Sequence, residues 1–303
     1  MATKNNSIQA KLEAIQQKAS KRYKTMSNED KHLAPIKHKQ KDFFIADLFD
    51  TVRFKDDIAS MEHPLFALKA GDTKARYYEY DNTKIVIRPN VEIGLATIHD
   101  KDIWLYCISK LIQAINDGKE ISRTVRFTIY DYLVTTNRAT SGSQYEFTKY
   151  SLERLKGTSI TIERIIDNRR LANGFGLIDS WKIVEQKDGR MLRVEVTLPE
   201  WLYQSITAKK VLTISSDYFR LRKPLDRRIY ELARKHCGNG SQWAFNLDTL
   251  HKKTGSTGTL AKFRMNIKSL VSTNELPDYH VHYDHDKDQV IFKKREDQLP
   301  IPL

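Results

Sequence analysis

His280-Val-His282 is the pair best spaced for metal chemistry. Residues two apart on a strand share a face, so both imidazoles could meet one divalent ion. Asp284, His285 and Asp286 stand nearby as further donors. A metal held there would serve strand nicking, which also needs a nucleophilic tyrosine on a helix after the pair. Only Tyr283 follows, at the edge of a hairpin turn. The alternative is an exposed ribbon face that brings His280 and His282 near phosphates. That reading is preferred, and no metal, cofactor or catalytic residue is expected. Gly255-Ser-Thr-Gly258 resembles a phosphate cradle, but no G-x-x-x-x-G-K-S/T run is present, so it reads as a turn between helices. No G-x-S-x-G elbow and no zinc-ligand spacing occurs.

The remaining candidates are basic. The 303 residues carry a formal net charge of +13, unevenly spread. Residues 1–41 hold ten Lys/Arg against three acids, residues 42–205 hold 23 against 24, and residues 206–303 hold 18 against 11. Such asymmetry favours a polyanionic partner, nucleic acid before an anionic membrane surface. No stretch has the roughly 18 apolar residues of a membrane span, and no membrane partner is expected. Met1 to Asn6 lacks the apolar run of a secretory signal. Cys107 and Cys237 sit in apolar helical patterns and read as buried free thiols.

Two stretches, Thr128–Val184 and Asp248–Lys294, repeat one design: a capped helix, a Ser/Thr/Gly turn, a second helix with basic residues outside its apolar face, then an alternating hairpin. This is the layout of a winged helix-turn-helix, whose second helix enters the major groove. In the first copy Thr128 caps a helix to about Thr136. Ser143 with Glu146 forms a capping box for the next, which Gly157 stops. Lys149, Tyr150 and Arg154 lie outside its apolar stripe and are the base-reading candidates; a dimer interface is the alternative use of this surface. In the second copy the helix after Thr259 buries Leu260, Phe263, Ile267, Leu270 and Val271, leaving Lys262, Arg264 and Lys268 to read bases. Pro224 opens a helix whose apolar face is Leu225, Ile229, Leu232, Ala233 and His236. Arg220, Arg222, Lys223, Arg227 and Arg228 cluster at its start as phosphate contacts, which supply affinity without sequence choice.

Upstream, Asp42-Phe-Phe-Ile-Ala-Asp-Leu-Phe-Asp50 reads as an apolar anchor, and Arg76–Tyr80 with Lys84–Arg88 as a hairpin around Asp81-Asn82. Leu105, Ile108, Leu111, Ile112 and Ile115 mark a helix over Asp100–Asn116, and Ser159–Ile165, Gly176–Val184 and Met191–Leu198 read as strands. Ile8, Leu12 and Ile15 allow a short amphipathic helix in the basic arm.

The run Arg222-Lys-Pro-Leu-Asp-Arg-Arg-Ile-Tyr-Glu-Leu-Ala-Arg-Lys-His236 resembles the replication initiator protein A family of bacterial plasmids. So do Asp42–Asp50, Met61-Glu-His-Pro-Leu-Phe66, Thr135-Thr-Asn-Arg138 and Tyr150-Ser-Leu-Glu-Arg-Leu155. The likeness spans about residues 42–300. It implies a cytoplasmic initiator that binds double-stranded origin DNA and meets a host replication initiator or helicase. It supplies no catalytic residue.

The expected architecture is α+β: a basic tail over residues 1–41, then two tandem winged-helix domains over 42–205 and 206–303. The expected function is sequence-specific origin binding without catalysis. A rolling-circle nicking initiator using His280 and His282, or a winged-helix transcriptional repressor, are the alternatives.

Overall fold

The structure is a computed structural model that describes residues 33–38, 43–46, 64–80, 83–166, 169–185, 191–208, 211–238 and 240–295. The Ile8–Ile15 stripe, the Asp81-Asn82 turn and most of Asp42–Asp50 lie outside the described residues. In chain order the elements are β1 (Phe43–Ala46), β2 (Arg76–Tyr80), β3 (Thr83–Arg88), α1 (Lys101–Asn116), β4 (Thr124–Phe127), α2 (Ile129–Thr135) and α3 (Gly142–Gly157). There follow β5 (Ser159–Ile166), β6 (Arg169–Gly176), β7 (Ser180–Glu185), β8 (Met191–Thr197), α4 (Glu200–Thr207), β9 (Val211–Ile214) and a 3-10 turn over Ser216–Arg220. The last are α5 (Pro224–Cys237), β10 (Gln242–Asn246), α6 (Leu247–Thr254), α7 (Leu260–Thr273), β11 (Tyr279–Asp284) and β12 (Gln289–Lys294).

The repeat is real and longer than the sequence pattern indicates. Each copy runs helix, strand, helix, helix, strand, strand: α1-β4-α2-α3-β7-β8, then α5-β10-α6-α7-β11-β12. Each closes a three-stranded antiparallel sheet of the same order, β4-β8-β7 and β10-β12-β11. This is the winged-helix topology, present twice, and the α+β expectation holds. The first copy carries an insertion. Between α3 and β7 the hairpin β5-β6 joins β2-β3 in a separate four-stranded sheet, order β2-β3-β5-β6. The sequence reading missed β6 because Asn173-Gly-Phe-Gly176 reads as a breaker, and missed the short β10 altogether. The wing hairpin Tyr279–Asp284 with Gln289–Lys294 falls where its alternation puts it.

Local start signals divide similarly. Thr128 caps α2 by accepting the Asp131 backbone N–H at 3.1 Å, and Thr259 caps α7 by accepting that of Lys262 at 3.3 Å. The Ser143 capping box does not form: α3 starts earlier, with Ser141 at the N-cap, and Gly157 is its last helical residue. Asn246, not Asp248, precedes α6, which Gly255 ends in the left-handed region at φ 69°.

Two cores result. The first packs Trp104, Tyr106, Ile108, Phe127, Leu152, Val194 and Leu198. The second packs Tyr218, Ile229, Tyr230, Phe263, Ile267 and Phe292, and it also takes Phe43 and Leu105 from earlier in the chain. Strand β1 pairs antiparallel with β9, Phe43 opposite Ile214. Residues 33–38 are likewise seated on both halves. The Ala34 backbone N–H donates to the Arg220 carbonyl at 2.8 Å, the Arg220 side chain donates to the Ala34 carbonyl, and Asn137 donates to the Pro35 carbonyl at 3.1 Å. Cys107 and Cys237 are buried free thiols.

Candidate nucleic-acid interface

Helix α7 has one buried stripe, Phe263, Ile267 and Leu270, and a broad exposed remainder. At 100° per residue, Met265 stands opposite that stripe and is 71% exposed. Lys262, Asn266 and Ser269 lie on one side of Met265, and Lys268 lies on the side nearer the wing; all four are exposed. Arg264, expected to read bases, is instead bound to the wing. Its guanidinium donates to Asp288 Oδ2 at 2.9 Å and to Tyr283 Oη at 3.1 Å, and Tyr283 donates in turn to Asp288. This ties α7 to its hairpin and turns the Nε–Nη2 edge of the guanidinium toward the wing. Lys268 passes over the Tyr283 ring at 5.9 Å.

The wing behaves as its alternation requires. Tyr279, Val281 and Tyr283 are buried while His280 and His282 are exposed on the opposite face. His280 Nδ1 lies 3.1 Å from the Asn274 amide and 3.2 Å from Arg295. Among the described residues no group of three or more His, Cys, Asp or Glu side chains is arranged to hold a metal ion.

The basic cluster at the start of α5 is not one surface. Arg227 is buried, 4% exposed. Its Nη1 donates to Asp102 Oδ1 at 2.6 Å, its Nε to the Leu221 carbonyl at 2.8 Å, and its Nη2 to the Phe219 carbonyl at 3.3 Å. No phosphate can reach it, so the clamp expected of Arg227 is corrected to an internal ion pair. Arg228 is mostly buried too. It donates to the Lys253 carbonyl at 3.0 Å and sits 3.4 Å from Glu231. Arg220 is held by the Ala34 carbonyl and Asp217. Arg222 and Lys223 remain partly exposed. The apolar-face argument misses this because α5 is buried on two sides, and only one is apolar.

Helix α3 shows the same effect. Tyr150 is buried, and Arg154 makes a two-pronged bond to the buried Asp100, at 2.7 and 2.8 Å. The first is taken out of the base-reading set by burial and the second by its bond to Asp100, which leaves Lys149, itself partly exposed.

What the sequence gives no sign of is a buried polar seam between the halves. Asp102 is fully buried and receives Arg227 from α5 and Arg138 from the loop after α2, the latter at 2.7 Å. Beside it Lys101 pairs with Glu231 at 2.8 Å, and the Tyr218 hydroxyl donates to the same carboxylate. Burial alone would raise the Glu231 carboxyl, but the charges of Lys101 and Arg228 hold it below the usual carboxylate range. Two of the motifs carrying the family resemblance, Arg222–His236 and Thr135–Arg138, place Arg227, Glu231 and Arg138 in this seam rather than on DNA.

The turn between α6 and α7 is seated on the first half as well. A Cβ at Gly255 would stand 2.2 Å from Pro64 Cγ. Beyond it opens a cleft of about 1070 Å³ between α7, the start of α5 and the 68–69 segment, lined by Lys69, Lys223, Lys262, Asn266 and Ser269, with Asp226 and Glu275 among its other walls. Burial pushes the Asp226 carboxyl up to about 6, and Lys223 offsets this in part. No helix of the described residues is long and apolar enough to cross a membrane.

These features fit the comparisons with known proteins. Crystal structures of domains 2 and 3 of RctB share the fold. One matches with a TM-score of 0.54 at 13% identity, and a selenomethionine derivative with 0.58 at 12%; each covers 78% of this chain and 96% of the other. A protein of Wigglesworthia glossinidia brevipalpis described as a "Putative replication protein" is 48% identical over 275 residues, covering 89% of this chain and all of that one. The family model for replication initiator protein A matches residues 55–281. The expectation drawn from the motifs therefore holds, and the chain belongs to the replication initiator protein A family.

Proposed function

We propose that this initiator binds double-stranded plasmid origin DNA sequence-specifically through its two winged helices, without catalysis, and brings host replication proteins to the site. The carrying observation is α7. It is the third helix of a winged-helix unit, and its exposed side presents Lys262, Asn266, Lys268 and Ser269 on either side of Met265. Lysines and amides on such a face can meet base edges and phosphates. His280 and His282 on the wing, with Arg222 and Lys223, supply backbone contacts. In the first domain Lys149 is the remaining base-reading candidate. The protein works in the bacterial cytoplasm, where plasmids replicate, and needs no cofactor.

The test is binding to DNA flanking its own gene, against random duplex of equal length, paired with replication of a plasmid lacking the gene. Selective binding together with failure to replicate supports the reading. Selective binding with normal replication would indicate a repressor. Site-specific nicks in Mg²⁺ or Mn²⁺, lost in His282→Ala, would replace it with the nicking reading.

A further inference from the structure

A helix in the major groove has a sugar-phosphate backbone on each side of it. On α7 those two sides differ. Toward the wing lie Lys268 and the exposed His280 and His282. On the other side is the cleft, whose far wall is the first domain's Leu68-Lys69 and whose floor includes Lys223 at the start of α5. Lys69 is exposed and far in sequence from any basic cluster. Asn266 is exposed and lines the cleft itself, one helical turn after Lys262 and three residues before Ser269.

Resting on the DNA-binding reading above, we infer that Asn266 reads an adenine in the major groove, and that Lys69 of the first domain holds the backbone of the same duplex across the cleft together with Lys223. An asparagine amide matches adenine in both senses, its carbonyl accepting from N6–H and its NH₂ donating to N7. Lys262 is a flexible point charge that serves guanine or phosphate equally. Asn266 is thus the residue on this face whose chemistry commits to one base. The adjacent Met265 offers an apolar surface to a thymine methyl. The acidic walls, Asp226 and Glu275, repel phosphate and so favour seating the backbone at the lysine-lined part of the cleft. The second domain's site is in this way completed by the first, which gives the buried Asp102–Arg227 pair a role in binding although neither side chain can touch DNA.

The experiment uses the full chain and the origin segment that wild type protects, so a failure of specific binding itself would show first, in the wild-type lane. Each adenine of that segment is replaced singly by 7-deazaadenine, which lacks the N7 acceptor. At one position wild-type affinity should fall roughly 5- to 150-fold, while Asn266→Ala should bind the natural and modified sites equally. Lys69→Gln should weaken origin and random duplex alike and lower the salt-dependence slope by about 0.9. If Asn266→Ala responds to every 7-deazaadenine as wild type does, Asn266 does not read adenine. If Lys69→Gln leaves the slope at the wild-type value, the cleft does not hold backbone.

Discussion

Arg227 on α5 donates to Asp102 on α1 at 2.6 Å, across the junction of the two winged helices, and Arg138 takes the other oxygen of the same carboxylate at 2.7 Å. Asp102 is wholly buried and Arg227 nearly so. A buried charge set of this kind adds little net stability over an apolar substitute, but it tolerates few geometries. The apolar part of the junction, Leu105 packed into the second core, supplies the adhesion. The polar part restricts the angle between the two winged helices.

Removing Arg227 leaves the buried Asp102 with one guanidinium, that of Arg138, where it had two. Arg227→Met is expected to destabilise, by less than the roughly 3–5 kcal/mol of a fully unpaired buried charge, because Arg138 still meets Asp102. Asp102→Asn combined with Arg227→Met should cost less than the sum of the two, because both remove the same Asp102–Arg227 pair while the loss of the Arg138 pair is counted once. Urea unfolding followed by far-UV circular dichroism measures both. A wild-type midpoint for Arg227→Met would mean that the pair does not hold the junction.

Gly255 meets two demands at once. Its φ of 69° lies in the left-handed region, and Pro64 occupies the space a side chain would need. Gly255→Ala should therefore destabilise by more than the roughly 1 kcal/mol of φ strain alone. It should also alter protease susceptibility around residue 64. If Gly255→Asn, which tolerates this φ, is as stable as wild type, the Pro64 contact is not tight.

How far the sequence could be read follows from these residues. The wing, the Thr128 cap, Pro224 at its helix start and the exposed histidines are local signals, set by alternation or by a hydrogen bond spanning three residues, and each appears as read. Arg227, Arg228 and Arg154 were misassigned for one reason. A helical projection recognises a helix buried on its apolar side, and α3 and α5 each bury a second, polar side against Asp100, Asp102 or the Lys253 carbonyl. The partners of those residues lie 54, 125 and 25 positions away, beyond any local pattern. Lys69 has no local signal at all; only the docking of the two domains brings it opposite α7.

Asp226 gives a pH signature. Its carboxyl is raised to about 6 in the folded chain, chiefly by burial, from an ordinary value near 3.8. Between those values the folded state holds the proton more tightly than the unfolded state, so this group's effect on stability worsens as pH rises from about 4 to about 6. Asp226→Asn should raise the melting temperature at pH 7.5 and change it little at pH 3.5. An equal effect at both pH values would show that the Asp226 charge is not what costs stability.

Lys262→Ala and Lys268→Ala test the two sides of α7 separately. Each exposed lysine should contribute about 1–3 kcal/mol of origin binding if it meets a base, and a uniform loss on all duplexes if it meets phosphate. Unchanged affinity in both would take α7 out of the groove. Arg264→Ala is expected to act differently, loosening the wing through Asp288 and Tyr283 and weakening specific and random binding together.

The central claim is that two winged helices, held at a fixed angle, grip one duplex in succession. Hydroxyl-radical footprinting of the full chain on DNA flanking its gene tests it most directly. The predicted result is two protected patches on one face of the helix, separated by about 10 bp or a multiple of it. Arg227→Met should blur their spacing while both patches remain. A single patch unaffected by that substitution, or no protected sequence at all, would contradict the account.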